Sequence, residues 1–461
     1  MTIHGLKMTH KVCKCFQLKH AVINRNMTSS TYSHRVFQKR KKILMEGTNV
    51  WKSPLKIDDL SYDWEYLCDE NNMQLIKDNI QSRKGIGDIV KLQKLWEEFQ
   101  RETNEIKKTE MKVLLDQLAA DIPNRSSPVT PIGDESQAKL IRTCGERKEF
   151  TFKPKSVTDL GQNLGILRTK NVNLTTGTST SCFLGDLAQL EHALVQYTLQ
   201  FLLSKGFSIV SVPDIIHPAV IEGCGFKTTG NKTQVYKLDQ KNLCLAGTSE
   251  IPLAGYFVND VLDLNNLPKR MCAVSRCYRA ETSIVEGEKG IYRVHQFTKV
   301  EMFGVTKGYL EESQNLMEEF MAIQKELFTD LGIHFRILEM PSQELGAPAF
   351  RKVDIEAWMP CLQFWGEISS TSNCTDFQSR RLSIKHRVDD DNLQYAHTVN
   401  GTACAVPRLI MNLLESNQTE NGDVMIPGVL QKYMKGKQKL EKTEKRTKYV
   451  QANKLARMIT K

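Results

Sequence analysis

Several features are missing from this 461-residue chain, and each absence narrows what it can be. No apolar run approaches the ~20 residues of a membrane-spanning helix. None of the twelve cysteines forms a paired CxxC or a Cys/His cluster at zinc-ligand spacing, which argues against a structural zinc site. Cys13-x-Cys15 lies in the basic leader, and Cys272 and Cys277 lie within a strand pattern; the cysteines read as reduced, mostly buried thiols. Asp and Glu are absent from residues 1–45, where ten Lys and Arg account for the whole formal charge of +10. Basic, acid-free and hydroxyl-rich from Thr28 to Ser33, that segment has the composition of a mitochondrial transit peptide; a disordered RNA-binding arm is the alternative. Lys7, Lys11 and Lys14 align if it turns helical, and Arg35-Val36-Phe37 resembles a processing site. The remaining composition, with 40% hydrophobic and 25% charged residues overall, is ordinary for a soluble globular protein of two or three domains.

Gly and Pro are also absent from Asp88 to Ile122. Leu92, Leu95, Trp96, Phe99, Thr103 and Ile106 keep a three-or-four spacing there, and Val113, Leu114 and Leu118 resume it. At 1.5 Å per residue this allows one helix of roughly 50 Å or two of about half that, with the polar Arg101 to Thr109 patch as the candidate turn. Further on, Asp186 is positioned to cap a helix whose apolar face is Leu187, Leu190, Leu194, Tyr197 and Phe201, and Gly206 stops it. From Lys435 the chain holds ten basic and two acidic residues, a composition for a solvated tail suited to RNA phosphates.

What is present in concentrated form is chemistry between Ser275 and Phe303. Two strands joined by the turn-prone Glu286–Gly290 place Arg279 and Glu281 on one face and Arg293, His295, Phe297, Lys299 and Glu301 in a second row. Such a face is either a solvated edge or a surface for a polyanion that is flat at one end, as ATP is. Thr248 and Glu250 share a face ahead of a helix, an arrangement that serves equally as an N-cap or as a site. Glu367, in GEISSTSNCTDFQSRR, has the character of a magnesium ligand, because hard cations take carboxylate oxygen. Pro407 suits the first turn of a helix, which puts Arg408 against the helix dipole, at a cost repaid if a polyphosphate lies in front of it.

YRAE followed by GIYRVHQFTKVEMF resembles motif 2 of class II aminoacyl-tRNA synthetases in the form found in seryl-tRNA synthetases, and HTVNGTACAVPRLIMNLLESNQ resembles motif 3. The likeness runs from about Trp64 to Met434 and is nearest to the animal mitochondrial type. It implies an α+β fold, a class II synthetase-type largely antiparallel sheet flanked by helices, preceded by an N-terminal helical arm. The implied domains are a transit peptide (1–45), a shortened tRNA-binding arm (46–127), a catalytic domain (128–434) and a basic tail (435–461). The implied reaction joins L-serine and ATP into seryl-adenylate and passes the seryl group to mitochondrial tRNA-Ser in the matrix, with Mg2+ as cofactor, no membrane, and a dimer of two copies or with a related subunit.

By the same resemblance Arg279, Glu367 and Arg408 are catalytic. ATP is held by Arg279, Ala280, Glu281, Val294, His295, Gln296, Phe297, Glu367, Ile368, Ser369, Ser370 and Arg408, with Mg2+ on Glu367 and Ser370. Serine is held by Thr248, Ser249, Glu250, Arg279, Glu301, Asn400 and Thr402. The chain departs from the family in its short arm, in Ser179 where the motif 1 loop usually has arginine, and in Thr371 where cysteine is common. A non-catalytic synthetase-like subunit and a ligase for threonine or proline are the rival readings.

Overall fold

The computed structural model describes residues 61–442 except 170–171, 231–232, 239–241, 282–289 and 390. The leader, with its proposed processing site, lies outside the described residues, as do most of the Glu286–Gly290 turn and the tail from residue 443.

The stripe after Asp88 folds as two helices, α1 (Ile89–Arg101) and α2 (Glu105–Asp121). Asp88 accepts from the Lys91 amide at 3.0 Å, and the polar patch supplies the break. Glu102 Oε1 accepts from the Thr103 and Asn104 amides, and Asn104 in turn caps α2 through Ile106 and Lys107. At 1.5 Å per residue the helices are only ~20 and ~26 Å long. The break resets the helical phase, so the inward residues of α2 are Leu115 and Ala119, while Val113, Leu114 and Ile106 are more than half exposed. Leu92, Leu115 and Ala119 pack with Tyr62, Ile76 and Ile80 in a small core of their own. The root is fastened by Arg83, which is 4% exposed and donates to the carbonyls of Asn124, Gly346 and Ala349.

The main sheet has eight strands: β1 (Lys139–Cys144), β2 (Ser208–Ile209), β3 (Lys269–Tyr278), β4 (Gln296–Thr306), β5 (Phe335–Glu339), β6 (Arg351–Met359), β7 (Phe364–Thr375) and β8 (His397–Ala405). Their order is β1-β5-β6-β7-β8-β4-β3-β2, antiparallel except for the β2/β3 edge pair. Three helices, α3 (Asp186–Ser204), α5 (Leu310–Asp330) and α6 (Val406–Ser416), cover one face. This is the expected largely antiparallel sheet flanked by helices.

Period-two alternation on β4 divides the molecule. Val300 and Met302 enter the helix-covered core, whereas Phe303 and Val305 enter a second core with Ile251 and Leu253 of α4 (Glu250–Gly255). Gly304 lies on the helix side, where a Cβ would meet Leu316 Cδ2 at 2.3 Å; its absence lets α5 seat against the sheet. On α3 the capping position is Gly185 rather than Asp186, which begins the helix and pairs with Lys437, because Gly185 adopts φ +51° at the entry. Gly206 at φ +84° follows the helix as expected. After it the chain makes only the short, exposed Ser208–Ile209 edge strand.

Candidate active site

The hairpin of β3 and β4 carries the charged row, but its strands are shorter than the alternation predicts. Ladder pairing stops at Tyr278 and resumes at Gln296, so Arg279, Glu281, Arg293 and His295 lie beyond the strand ends. The backbone there finds other partners. Arg279 N donates to His295 O at 3.0 Å, and Ala280 N to Gln234 O at 2.9 Å. Glu281 N donates to the Gln234 side-chain oxygen at 2.8 Å, with Glu281 at φ +45°. That left-handed turn swings Glu281 toward the cleft, where Arg293 Nη1 holds its carboxylate at 3.3 Å.

The cleft opens to solvent. Nine of the predicted residues line it: Arg279, Glu281, Val294, Phe297, Glu367, Ile368, Ser369, Thr402 and Arg408. The Arg279 guanidinium carbon is 5.3 Å from the centre of the Phe297 ring, and its Nε donates to Gly247 O at 3.3 Å. Arg408, in the first turn of α6 behind Pro407, lines the same cleft. Its Nη1 donates to Glu367 O at 2.9 Å and lies 3.3 Å from Glu367 Oε1, with the Tyr292 ring 4.5 Å beneath it. Burial works against the charge of both groups, yet the pair prevails: Arg408 stays above its usual pKa through Glu367, and Glu367 stays below its own through Arg408, Lys352 and Arg279.

One side of the cleft is floored by buried polar groups. Lys299 Nζ lies 2.5 Å from Glu301 Oε2 and donates to Thr248 Oγ1 at 2.8 Å, while Thr402 Oγ1 donates to Glu301 at 3.2 Å. Thr248 also accepts from the Glu250 amide at 3.3 Å, so it closes the turn ahead of the Ser249 cap of α4 and belongs to the floor at once. Glu250 Oε1 accepts from Gln378 at 2.6 Å and Asn400 at 2.9 Å; burial, reinforced by Glu301, pushes its pKa up to about 7. Ser249 is fully buried and turned to Ser275, at 2.6 Å.

Other predicted residues stand behind the wall or beside it. His295 Nδ1 sits 2.9 Å from Tyr236 OH and 3.1 Å from Arg279 O, so it supports the turn. Ala280 contributes backbone, and Gln296 is exposed at the start of β4. Ser370 sits beside Asp354, whose Oδ2 takes Lys352 at 2.6 Å while its Oδ1 is buried without a hydrogen-bond partner. Thr371 is buried and donates to Gln324 on α5, away from the cleft. Among the described residues no three His, Cys, Asp or Glu side chains form a metal cage. Glu367, 42% exposed at the cleft, fits the role of a single carboxylate donor to a hard cation whose remaining ligands are phosphate and water; Ser370 is not among the residues that line the cleft.

Three participants have no assigned role in the sequence reading. Lys299 was visible as a member of the Phe297, Lys299, Glu301 row and is the cation that binds the floor together. Tyr292 and Gln378 sit in the matching runs but give no signal of their own, since their contacts come from segments 75 and 128 residues away in the chain.

Residues 235–417 match the tRNA synthetase class II core domain (G, H, P, S and T). The mitochondrial serine–tRNA ligase of Mus musculus is 49% identical over 329 residues, covering 71% of this chain and 64% of that protein. The serine–tRNA ligase of Rubrobacter xylanophilus is 39% identical over 72% of this chain and 78% of its own length. Among solved structures, the seryl-tRNA synthetase from Pyrococcus horikoshii complexed with ATP is 31% identical, covers 90% of this chain and 95% of that one, and superposes with a TM-score of 0.71. The match therefore spans slightly less than two thirds of the mouse protein, but more than three quarters of the bacterial one. On identity at that level, and on a sheet that carries the motif residues into one cleft, this chain belongs to the serine–tRNA ligase family of class II aminoacyl-tRNA synthetases.

Proposed function

We propose that the protein is a mitochondrial serine–tRNA ligase, working in the matrix, that activates L-serine with ATP and charges tRNA-Ser. The observation that carries this reading is the convergence of Arg279 and Arg408 on one cleft whose floor holds Glu301, Thr402 and Thr248. Attack of a serine carboxylate oxygen on the α-phosphorus of ATP breaks the bond to the leaving pyrophosphate. The protein's part is to orient the two anions and to neutralise the charge that grows on the phosphoryl oxygens. Arg279 serves the α-phosphate and Arg408 the outer phosphates, each as a planar fork of donors. Phe297 offers a platform for the base, and Glu281 an acceptor for its amino group. Glu301 and the half-titrated Glu250 receive the serine ammonium and hydroxyl together with Thr402, and an apolar side chain would leave those groups unpaired. Bound Mg2+ would screen the phosphate charge, with Glu367 as its protein carboxylate.

Two further parts of the reading concern the rest of the chain. Residues 1–45 direct import, and 46–127 form a tRNA-facing arm ahead of the catalytic domain (128–434). The arm hairpin carries six basic and seven acidic residues between 89 and 121, so its grip on RNA is weak and the tail (435–461) supplies the cationic surface. The working unit is a dimer. The test is serine-dependent exchange of pyrophosphate into ATP, with threonine, proline and alanine as competitors, followed by charging of mitochondrial tRNA-Ser. Folded protein that binds ATP but gives no exchange would replace this reading with that of a binding subunit.

A further inference from the structure

Beyond the Arg279–His295 and Glu281–Arg293 contacts within its own hairpin, the turn that presents Glu281 to the cleft has a support outside it. That support is the segment Gln234–Tyr236, which comes from before the substrate segment in the chain and has no place in the motifs. Three bonds reach from that segment to the turn: Gln234 O accepts from Ala280 N at 2.9 Å, Gln234 Oε1 from Glu281 N at 2.8 Å, and Tyr236 OH meets His295 Nδ1 at 2.9 Å beneath Arg279 O. On its other side Tyr236 O accepts from Leu245 N at 2.9 Å, three residues ahead of Thr248. The same strip of backbone thus ties the serine side of the cleft to the ATP side.

We infer that Gln234 is a positioning residue for the adenine end of the nucleotide, acting through the Glu281 backbone; this rests on the reading of the cleft as an ATP site. Glu281 has φ +45°, a left-handed backbone that a non-glycine residue adopts against a steric cost, and the side-chain amide oxygen of Gln234 is the acceptor that rewards it. Without that acceptor the turn relaxes toward extended backbone and the Glu281 carboxylate, 12% exposed and paired with Arg293, leaves the cleft wall. Arg279 is anchored separately, by its own amide to His295 O and its Nε to Gly247 O, so the phosphate grip stays in place. Gln234 is itself exposed, and replacing a surface side chain leaves the fold intact.

The experiment compares ATP and inorganic tripolyphosphate binding by calorimetry in wild type, Gln234→Leu and Gln234→Glu. Leu keeps an apolar side chain of similar bulk, shorter by one atom and without an acceptor, and Glu keeps the acceptor. The expected result is ATP binding weakened about 3-fold to 10-fold in Gln234→Leu, the loss of one hydrogen bond, and restored in Gln234→Glu. Tripolyphosphate binding and the thermal midpoint should not change in either variant. Equal losses for ATP and tripolyphosphate, or no loss at all in Gln234→Leu, would overturn the inference while leaving the ATP site standing. A wild type that binds no ATP would overturn the site reading itself, and this inference with it.

Discussion

Lys299 sits where a sheet of this kind normally places an aliphatic side chain, and removing it should cost more than any other single change in the site. The side chains of Lys299 and Glu301 are 6% and 3% exposed, and their charged atoms lie 2.5 Å apart. Replacing Lys299 with Met keeps the volume and leaves Glu301 buried with Thr402 as its remaining neutral donor. Breaking a buried pair from one side costs about 3–5 kcal/mol, a large part of the 5–15 kcal/mol that a folded domain typically holds. Glu250 amplifies the loss, because Lys299 counters the burial and the Glu301 charge that push its pKa to about 7. In the double variant Lys299→Met, Glu301→Gln the Glu301 charge goes with its partner, and Glu250 loses the Glu301 repulsion along with the Lys299 attraction, so most of the loss should be recovered, to within about 1–2 kcal/mol of wild type. Urea unfolding followed by tryptophan fluorescence measures all three proteins. Equal destabilisation of the single and double variants, or a single variant within about 1 kcal/mol of wild type, would refute the account of the floor as a coupled pair.

Glu415 is fully buried and accepts from the amides of Val157 and Cys361; burial pushes its pKa up to about 7 despite those donors. The folded state then binds more protons than the unfolded chain between about pH 4.5 and 7. Stability should therefore fall as pH rises through that window, with a shallower slope in Glu415→Gln, read from urea midpoints at fixed ionic strength. Arg83→Met removes one donor from each of three carbonyls at the arm root, of which Asn124 O keeps Asn79 and Gly346 O keeps the Ala349 amide, and should cost about 1–3 kcal/mol while speeding amide exchange in Met73–Ser82. Thr402→Val removes the hydroxyl that reaches Glu301 and should raise the KM for serine about tenfold in pyrophosphate exchange, with the KM for ATP unchanged.

The β4 strand and the flanking helices were legible because their signals are local: period two along β4, a continuous apolar face on α3, and a proline at the head of α6. The arm was half legible. Its stripe and polar break can be read directly, but which residues of α2 face inward depends on how many residues the break absorbs, and three residues between the helices shift the phase from Leu114 to Leu115. Strand ends were the least legible. Nothing in RAE says that the ladder stops at Tyr278, since the backbone partners that compete with it sit at Gln234 and His295.

The same distinction explains which part of the site could be read in advance. Arg279, Glu281 and Phe297 lie within one hairpin, where spacing fixes their neighbourhood, and Arg408 announces itself by its position against a helix dipole. The floor is different in kind. Lys299, the Thr248–Glu250 pair, Gln378 and Asn400 come from four separate segments, and only the Thr248–Glu250 spacing stands out in its own sequence surroundings. A buried carboxylate such as Glu250 is tolerable only because each of those segments delivers a donor or a counter-charge to it. Tertiary packing therefore sets the charge state of the floor. Since β4 sends Phe303 and Val305 into the core directly beyond Glu301, any slip of its register would move apolar side chains into the cleft and charged ones into the core. The stability of the fold and the alignment of the site thus rest on the same strand register.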